Sequence, residues 1–179
     1  MNRLTIAGLG IKNLIQMTVE TRNILLEANK VLYLGTNPEE HIKELKSWGV
    51  QNICSILDRY IDGEIDENNY QRIYNAVIEA TLKYEQVILL IPGHPRIGVS
   101  LVQKLTSTDL AAQVTVLPGI SSFDTMINDL KRDPLEKGSV IVDANRVLLF
   151  SLKWPSHLDC YIYHICSIGT RRVHLHNAQ

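Results

Sequence analysis

The residues best suited to chemistry lie in two short loops, Pro92-Gly93-His94-Pro95-Arg96-Ile97-Gly98 and Pro118-Gly119-Ile120-Ser121-Ser122. In the first, two prolines fix φ and remove N–H groups, while two glycines let the backbone turn and approach a ligand closely. His94 adds an imidazole. The loop follows Val87 to Ile91, a continuous aliphatic run that reads as a central strand. Ligands of open α/β sheets bind at the carboxyl ends of such strands. The second loop follows another strand-like run, Val114 to Leu117, and leads into a helical segment from Ile120 to Leu130. Its N–H groups and the Ser121 and Ser122 hydroxyls suit either a polar ligand or an ordinary helix cap. Together the two loops predict a shared cleft.

Other constellations are weaker. The turn Gly8-Leu9-Gly10 invites a dinucleotide reading, but Asn13 stands where the third glycine belongs. The segment Leu34-Gly35-Thr36-Asn37 offers no acid for a ribose. The turn reads as a tight strand-to-helix connection. His157 and His164 have no carboxylate or thiolate at ligand spacing, and His174 and His176 point oppositely if extended, so no metal site is expected. In Tyr161-Ile162-Tyr163-His164-Ile165, alternation puts His164 on the side of Ile162, as a core histidine or a pocket wall. Cys54, Cys160 and Cys166 are odd in number and form no CxxC, which argues against a disulfide framework and a structural zinc site. Tyr60, Tyr70 and Tyr74 bracket an acidic stretch, and the last two share a helical face.

The elements that must position these loops follow from pattern. Leu4 to Ala7 and Val31 to Leu34 read as buried strands on either side of a helix opened by Thr18, a βαβ unit with parallel pairing. Pro38 opens a second helix with acids first and lysines last, as the macrodipole favours. Asn52 to Leu57 is a candidate third strand. Tyr70, Ile73, Tyr74, Val77, Ile78, Thr81 and Leu82 fall on one helical face. Another helix follows from about Gly98 to Leu105, and Val140 to Val142 and Cys160 to Cys166 are further strands. The expected fold is therefore α/β: a parallel-sheet domain over 1–117, then an incomplete second α/β domain over 118–179. That second part shows one helix and two strands, so the chain reads as interrupted, with the last strand an uncovered edge. The expected association is a homodimer, or a partner chain that supplies the missing half.

Composition narrows the classes. Hydrophobic residues make up 45% of 179, enough for a core and against disorder. A net charge of −1 gives no footprint for nucleic acid or an anionic membrane. The apolar run at the amino end is too short for a signal peptide or a membrane span, which predicts a cytoplasmic protein.

Taken together, Ile6-Ala7-Gly8-Leu9-Gly10, Met17-Thr18-Val19-Glu20 with Ala28-Asn29-Lys30-Val31, Gly93-His94-Pro95, and Leu117-Pro118-Gly119-Ile120-Ser121-Ser122 resemble the tetrapyrrole methylase superfamily, the class III S-adenosylmethionine-dependent methyltransferases. Within it, Tyr60-Ile61-Asp62-Gly63 with Tyr70, Gly93-His94-Pro95, and Asp124, Asp129-Leu130 and Asp133-Pro134 are most similar to the borosin-type peptide N-methyltransferase branch. The resemblance implies two α/β domains and S-adenosylmethionine as cofactor. It implies cofactor contacts from Gly93, His94, Pro95, Ile97, Ser121, Ser122 and His164, and catalytic or substrate-side roles for Tyr60 and Tyr70. The acceptor it implies is a peptide or a small molecule. Asp66 stands where the branch has an arginine, and Pro92 where it has a tyrosine. These two positions predict that this chain alone does not methylate a peptide backbone, and they leave a catalytically inactive methylase-fold partner subunit as the alternative reading.

Overall fold

The computed structural model describes residues 2–172. His174 and His176 lie outside the described residues. The chain divides into two compact units: residues 1–61 with 67–122, and residues 62–66 with 123–179. Against the expected boundary at Leu117, the first unit continues to Ser122 and cedes a five-residue excursion, 62–66, to the second.

The first unit is a five-stranded sheet in the order β3-β2-β4-β1-β5, with every neighbouring pair parallel. The strands are β1 (Asn2–Gly8), β2 (Lys30–Tyr33), β3 (Ile53–Ser55), β4 (Gln86–Ile91) and β5 (Ala112–Leu117). Alternation along β4 explains the layers. Val87, Leu89 and Ile91 pack with Ile73, Val77 and Ala80 of α3 (Asp66–Lys83) and with Leu101, Val102 and Leu105 of α4 (Ser100–Ser107). Ile88 and Leu90 face the other way, toward Leu25 of α1 (Val19–Leu25) and Leu45 of α2 (Pro38–Ser47). A sheet buried on both faces needs strands apolar on both faces, which is why β4 is an unbroken aliphatic run.

Local signals set the helix ends. Thr18 caps α1 by accepting from the Thr21 amide at 3.1 Å, and Pro38 occupies the first turn of α2. The face of α3 is turned relative to expectation. Asn69, Ile73, Val77, Ala80 and Thr81 are buried, whereas Leu82 is 68% exposed. The helix also begins four residues before Tyr70.

The second unit contains α5 (Ser122–Leu130), β6 (Ser139–Asp143), α6 (Ala144–Leu149) and β7 (Asp159–Tyr163). Strands β6 and β7 pair in parallel, with Asp143 opposite Tyr163. Two corrections arise here. The six-residue helix α6 was not expected, because ANRVLL is too short to show a helical period. The last strand ends at Tyr163 rather than Cys166, because His164 takes a left-handed backbone (φ 58°) and a 3-10 turn follows. Alternation from Ile162 therefore does not extend to His164.

At the carboxyl ends of β1, β4 and β5 the backbones touch. A Cβ on Gly8 would lie 2.3 Å from the Gly93 carbonyl oxygen and 2.9 Å from Gly119 Cα. A Cβ on Gly119 would lie 2.5 Å from the same oxygen. Backbone cannot give way as a flexible side chain can. Gly8→Ala and Gly119→Ala are each expected to destabilise the first unit by about 3 kcal/mol, the upper range of overpacking. Gly169→Asn, at an open left-handed position, should stay within about 0.5 kcal/mol. Urea unfolding of the three variants checks this.

Candidate functional site

Three loops meet above those glycines. The first leaves β1, where Leu9 N–H donates to Ile91 O at 2.8 Å and Gly93 N–H donates to Gly10 O at 2.9 Å. Gly10 and Gly93 thus form a short antiparallel bridge across the ends of β1 and β4. The Gln16 side-chain oxygen accepts from the Ile11 and Lys12 amides at 2.8 and 2.7 Å, which fixes the loop that presents Ile11.

The second loop uses its glycines as the sequence suggested, with Gly93 at φ 66° and Gly98 at φ 70°. Ile97 N–H donates to His94 O at 3.0 Å, and Arg96 N–H donates to His94 Nδ1 at 3.1 Å. A ring nitrogen that accepts carries no proton, so the proton of neutral His94 sits on Nε2. His94 therefore offers a donor to whatever lies above the loop. The third loop, after β5, carries buried Ser121 and the start of α5 at Ser122.

Ile11, Pro92, Gly93, His94, Ile97, Ser121 and Ser122 line one pocket of about 120 Å³. Five of the seven residues expected at a cofactor site are brought together here: Gly93, His94, Ile97, Ser121 and Ser122. Pro95 is buried in the same loop without lining the pocket. Ile11 was missed, since an apolar residue after a Gly turn carries no signal of its own. The pocket sits where β1 leads off to one side of the sheet and β4 returns to its flank, the position ligands take in open α/β folds. A larger groove of about 480 Å³, between Tyr74, Ile78 and Leu82 of α3 and the 108–111 segment, lies at the amino ends of β1 and β5, away from the three glycine-bearing loops.

Tyr60 and Tyr70 stand together in the first unit, their rings 6.5 Å apart and edge-on. Both pack against the α3 side of the core.

His164 belongs to the second unit, at the carboxyl end of β7. Its Nδ1 lies 2.6 Å from Asp143 Oδ2, while Asp143 Oδ1 accepts from the Arg146 amide at 3.2 Å and caps α6. The His164 hydrogen bond, and then the Arg146 amide, hold the Asp143 carboxyl below the ordinary carboxylate range. Among the described residues no three His, Cys, Asp or Glu side chains are arranged to hold a metal ion, and no helix is long and apolar enough to cross a membrane.

An all-parallel sheet with a glycine-floored pocket at its turning point defines an α/β domain with its candidate site at the carboxyl ends of the strands. The profile of the Tetrapyrrole (Corrin/Porphyrin) Methylases matches residues 3–151, and the chain belongs to that family of methyltransferases. It is 28% identical over 181 aligned residues to a methyltransferase/ribosomally synthesized type II borosin cyclic peptide precursor of Phlebiopsis gigantea, covering 98% of this chain and 32% of that protein. It is 32% identical over 164 residues to the uncharacterized protein YabN of Bacillus subtilis, covering 90% and 33%. The chain thus spans about a third of the length of these relatives. Among solved structures it is similar to a cobalamin-synthesis-related protein, CobF, of Corynebacterium diphtheriae, with a TM-score of 0.64, 14% identity, and coverage of 90% of this chain and 71% of that one.

The Asp143 pair makes a pH-dependent prediction. A carboxyl whose folded pKa is lowered stabilises the fold above its unfolded value, near pH 4, and loses that contribution as pH falls through the folded value. Asp143→Ala should destabilise the second unit by about 1 kcal/mol at pH 7, as loss of a cap does. The gap to the wild type should close below pH 4. Hydrogen exchange at the Arg146 amide across that range checks it.

Proposed function

We propose that the chain carries the cofactor side of an S-adenosylmethionine-dependent methyltransferase, with the pocket under His94 as its anchor. The observation that carries this reading is the convergence of Gly93, His94, Ile97, Ser121 and Ser122 on one pocket over a floor that admits no Cβ. The donor set fits the cofactor. No Lys, Arg, Asp or Glu lines the pocket, which suits a nucleoside joined to an amino acid better than a polyphosphate. Its 120 Å³ is below the ~300–1,000 Å³ that encloses a drug-sized ligand, so it takes one part of the molecule.

S-adenosylmethionine, when bound, supplies an electrophilic methyl group on sulfur. The protein's share is alignment and exclusion of water. His94 donates from Nε2, the Ser121 and Ser122 hydroxyls hold polar groups, and Ile11 and Ile97, both exposed at the pocket, offer apolar surface to the ligand. Tyr60 and Tyr70 orient the acceptor. The acceptor is a peptide or a small molecule; the borosin precursor's name supports a peptide, while Asp66 and Pro92 speak against backbone methylation by this chain alone. A cytoplasmic setting agrees with this chemistry.

The reading also extends to assembly. Strands β6 and β7 form a two-stranded sheet, marginal by itself, with Ile141 and Ile162 exposed. The Tyr161 hydroxyl is buried with no hydrogen-bond partner among the described residues. Both support completion of this sheet by a second copy or by additional polypeptide. Light scattering should show association. A monodisperse monomer with strong amide protection over 159–163 would reject it.

The cofactor assignment is tested by calorimetry with S-adenosylhomocysteine. His94→Ala should weaken binding by about 1–3 kcal/mol, roughly 5- to 150-fold in Kd. An unchanged isotherm would remove His94 from the site.

A further inference from the structure

The segment that carries Tyr60 is fastened in an unusual way. Ile61 N–H donates to Asn69 Oδ1 at 2.8 Å, and Asn69 Nδ2 donates to Ile61 O at 3.0 Å. The Asn69 amide thus pairs with the Ile61 backbone on both sides, as a neighbouring strand would. Arg72 completes the arrangement: Nε donates to Arg59 O at 3.0 Å, and an Nη donates to Asn69 Oδ1. One face of α3 therefore grips the chain immediately before and immediately after Tyr60.

Ordinary packing does not account for this grip. Asn69 is fully buried, and a buried amide on a helix is costly unless it is bonded. Yet the Ile61 side chain is half exposed, so its burial is not what is gained. Arg59 makes an exposed 3.7 Å pair with Asp58, which is worth little. Of the three residues gripped, only Tyr60 packs on the core, with its ring edge-on to Tyr70. The clamp also sits where the chain leaves the first unit, since residues 62–66 cluster with the second. Before the clamp, the backbone is tied by the turn in which the Tyr60 amide donates to Leu57 O at 2.9 Å; the clamp adds the hold on the residue after Tyr60.

We infer that Asn69 and Arg72 are positioning residues that fix the Tyr60 ring against Tyr70 and so set the acceptor side of the site. The inference rests on the proposed role of the two tyrosines. Arg72 bonds to Arg59 O and Asn69 Oδ1, on either side of Tyr60, and through these two bonds it acts on the Tyr60 segment. The planar guanidinium matters, because an ammonium cannot span a carbonyl and an amide oxygen in that geometry.

The test is fluorine NMR on the full chain labelled with 3-fluorotyrosine, whose seven tyrosines give seven signals. Tyr60→Phe assigns the Tyr60 signal, and Tyr70→Leu measures the displacement caused by the facing ring. Arg72→Lys and Asn69→Ala are each expected to move the Tyr60 signal by more than half of that displacement. The lysine is expected to give no rescue although it keeps the charge. A smaller movement in the folded variants, including one accompanied by lost thermal stability, overturns the inference. Arg72 is only partly buried, so Arg72→Lys keeps the test available if Asn69→Ala does not fold. S-adenosylhomocysteine affinity should stay within about twofold in both variants, since the clamp's hydrogen bonds go to Arg59 and Ile61 and to no pocket-lining residue. Failure of the wild type to bind that ligand rejects the proposed function, whereas the Tyr60 signal alone decides the clamp.

Discussion

The first unit depends on backbone meeting backbone at Gly8, Gly93 and Gly119. Strand spacing in a sheet is set by hydrogen bonds, but here the chain ends of β1, β4 and β5 close in further, to distances at which a single Cβ would strike a carbonyl or Cα. Only residues without a side chain permit it. The contact converts three strand ends into one floor and draws three loops into one pocket. The Gly10–Gly93 bridge then ties two of those loops, so the pocket's shape follows from the sheet and not from side-chain packing. Pre-organisation of this kind lowers the ordering cost of binding.

The second unit is built differently. It has a single parallel strand pair and two short helices, and its most specific feature is polar: the pairing of Asp143 with His164 across the ends of β6 and β7. Asn145 adds to it, donating to Ser167 O at 3.2 Å and accepting from the Gly169 amide at 2.9 Å. Side-chain hydrogen bonds thus hold the turn after β7, in place of the large apolar core that holds the first unit.

The difference explains what could be read from the sequence. The apolar runs of β1, β2, β4 and β5 were legible because a sheet covered on both faces imprints itself on consecutive residues. The glycine and proline loops were legible because backbone conformation is written in residue type. His164 was placed on a strand because alternation is a local rule, and its left-handed backbone is stabilised by Asp143, twenty-one positions earlier. Asn69 and Arg72 carry no signal of their own in the sequence. Their role depends on a loop that only the folded chain brings alongside. The excursion at 62–66 was invisible for the same reason, since its partners are at 171 and 172.

The strand order carries a consequence for biosynthesis. β1 is made before the other strands of its unit, yet its neighbours are β4 and β5, which place Gln86 opposite Arg3 and Ala112 opposite Asn2. At ~5–20 residues per second, a ribosome needs roughly 5–20 s to deliver β5 after β1 has left the tunnel. Until β4 emerges, Leu4, Ile6 and Ala7, all fully buried in the finished unit, have no partner strand, and the β5 side of β1 stays uncovered to the end of that interval. The nascent chain cannot shield them by local pairing, because β2 and β3 belong on the far side of β4. Within this unit β1 therefore waits longest for its last neighbour, and slow translation before Val114 would prolong that exposure.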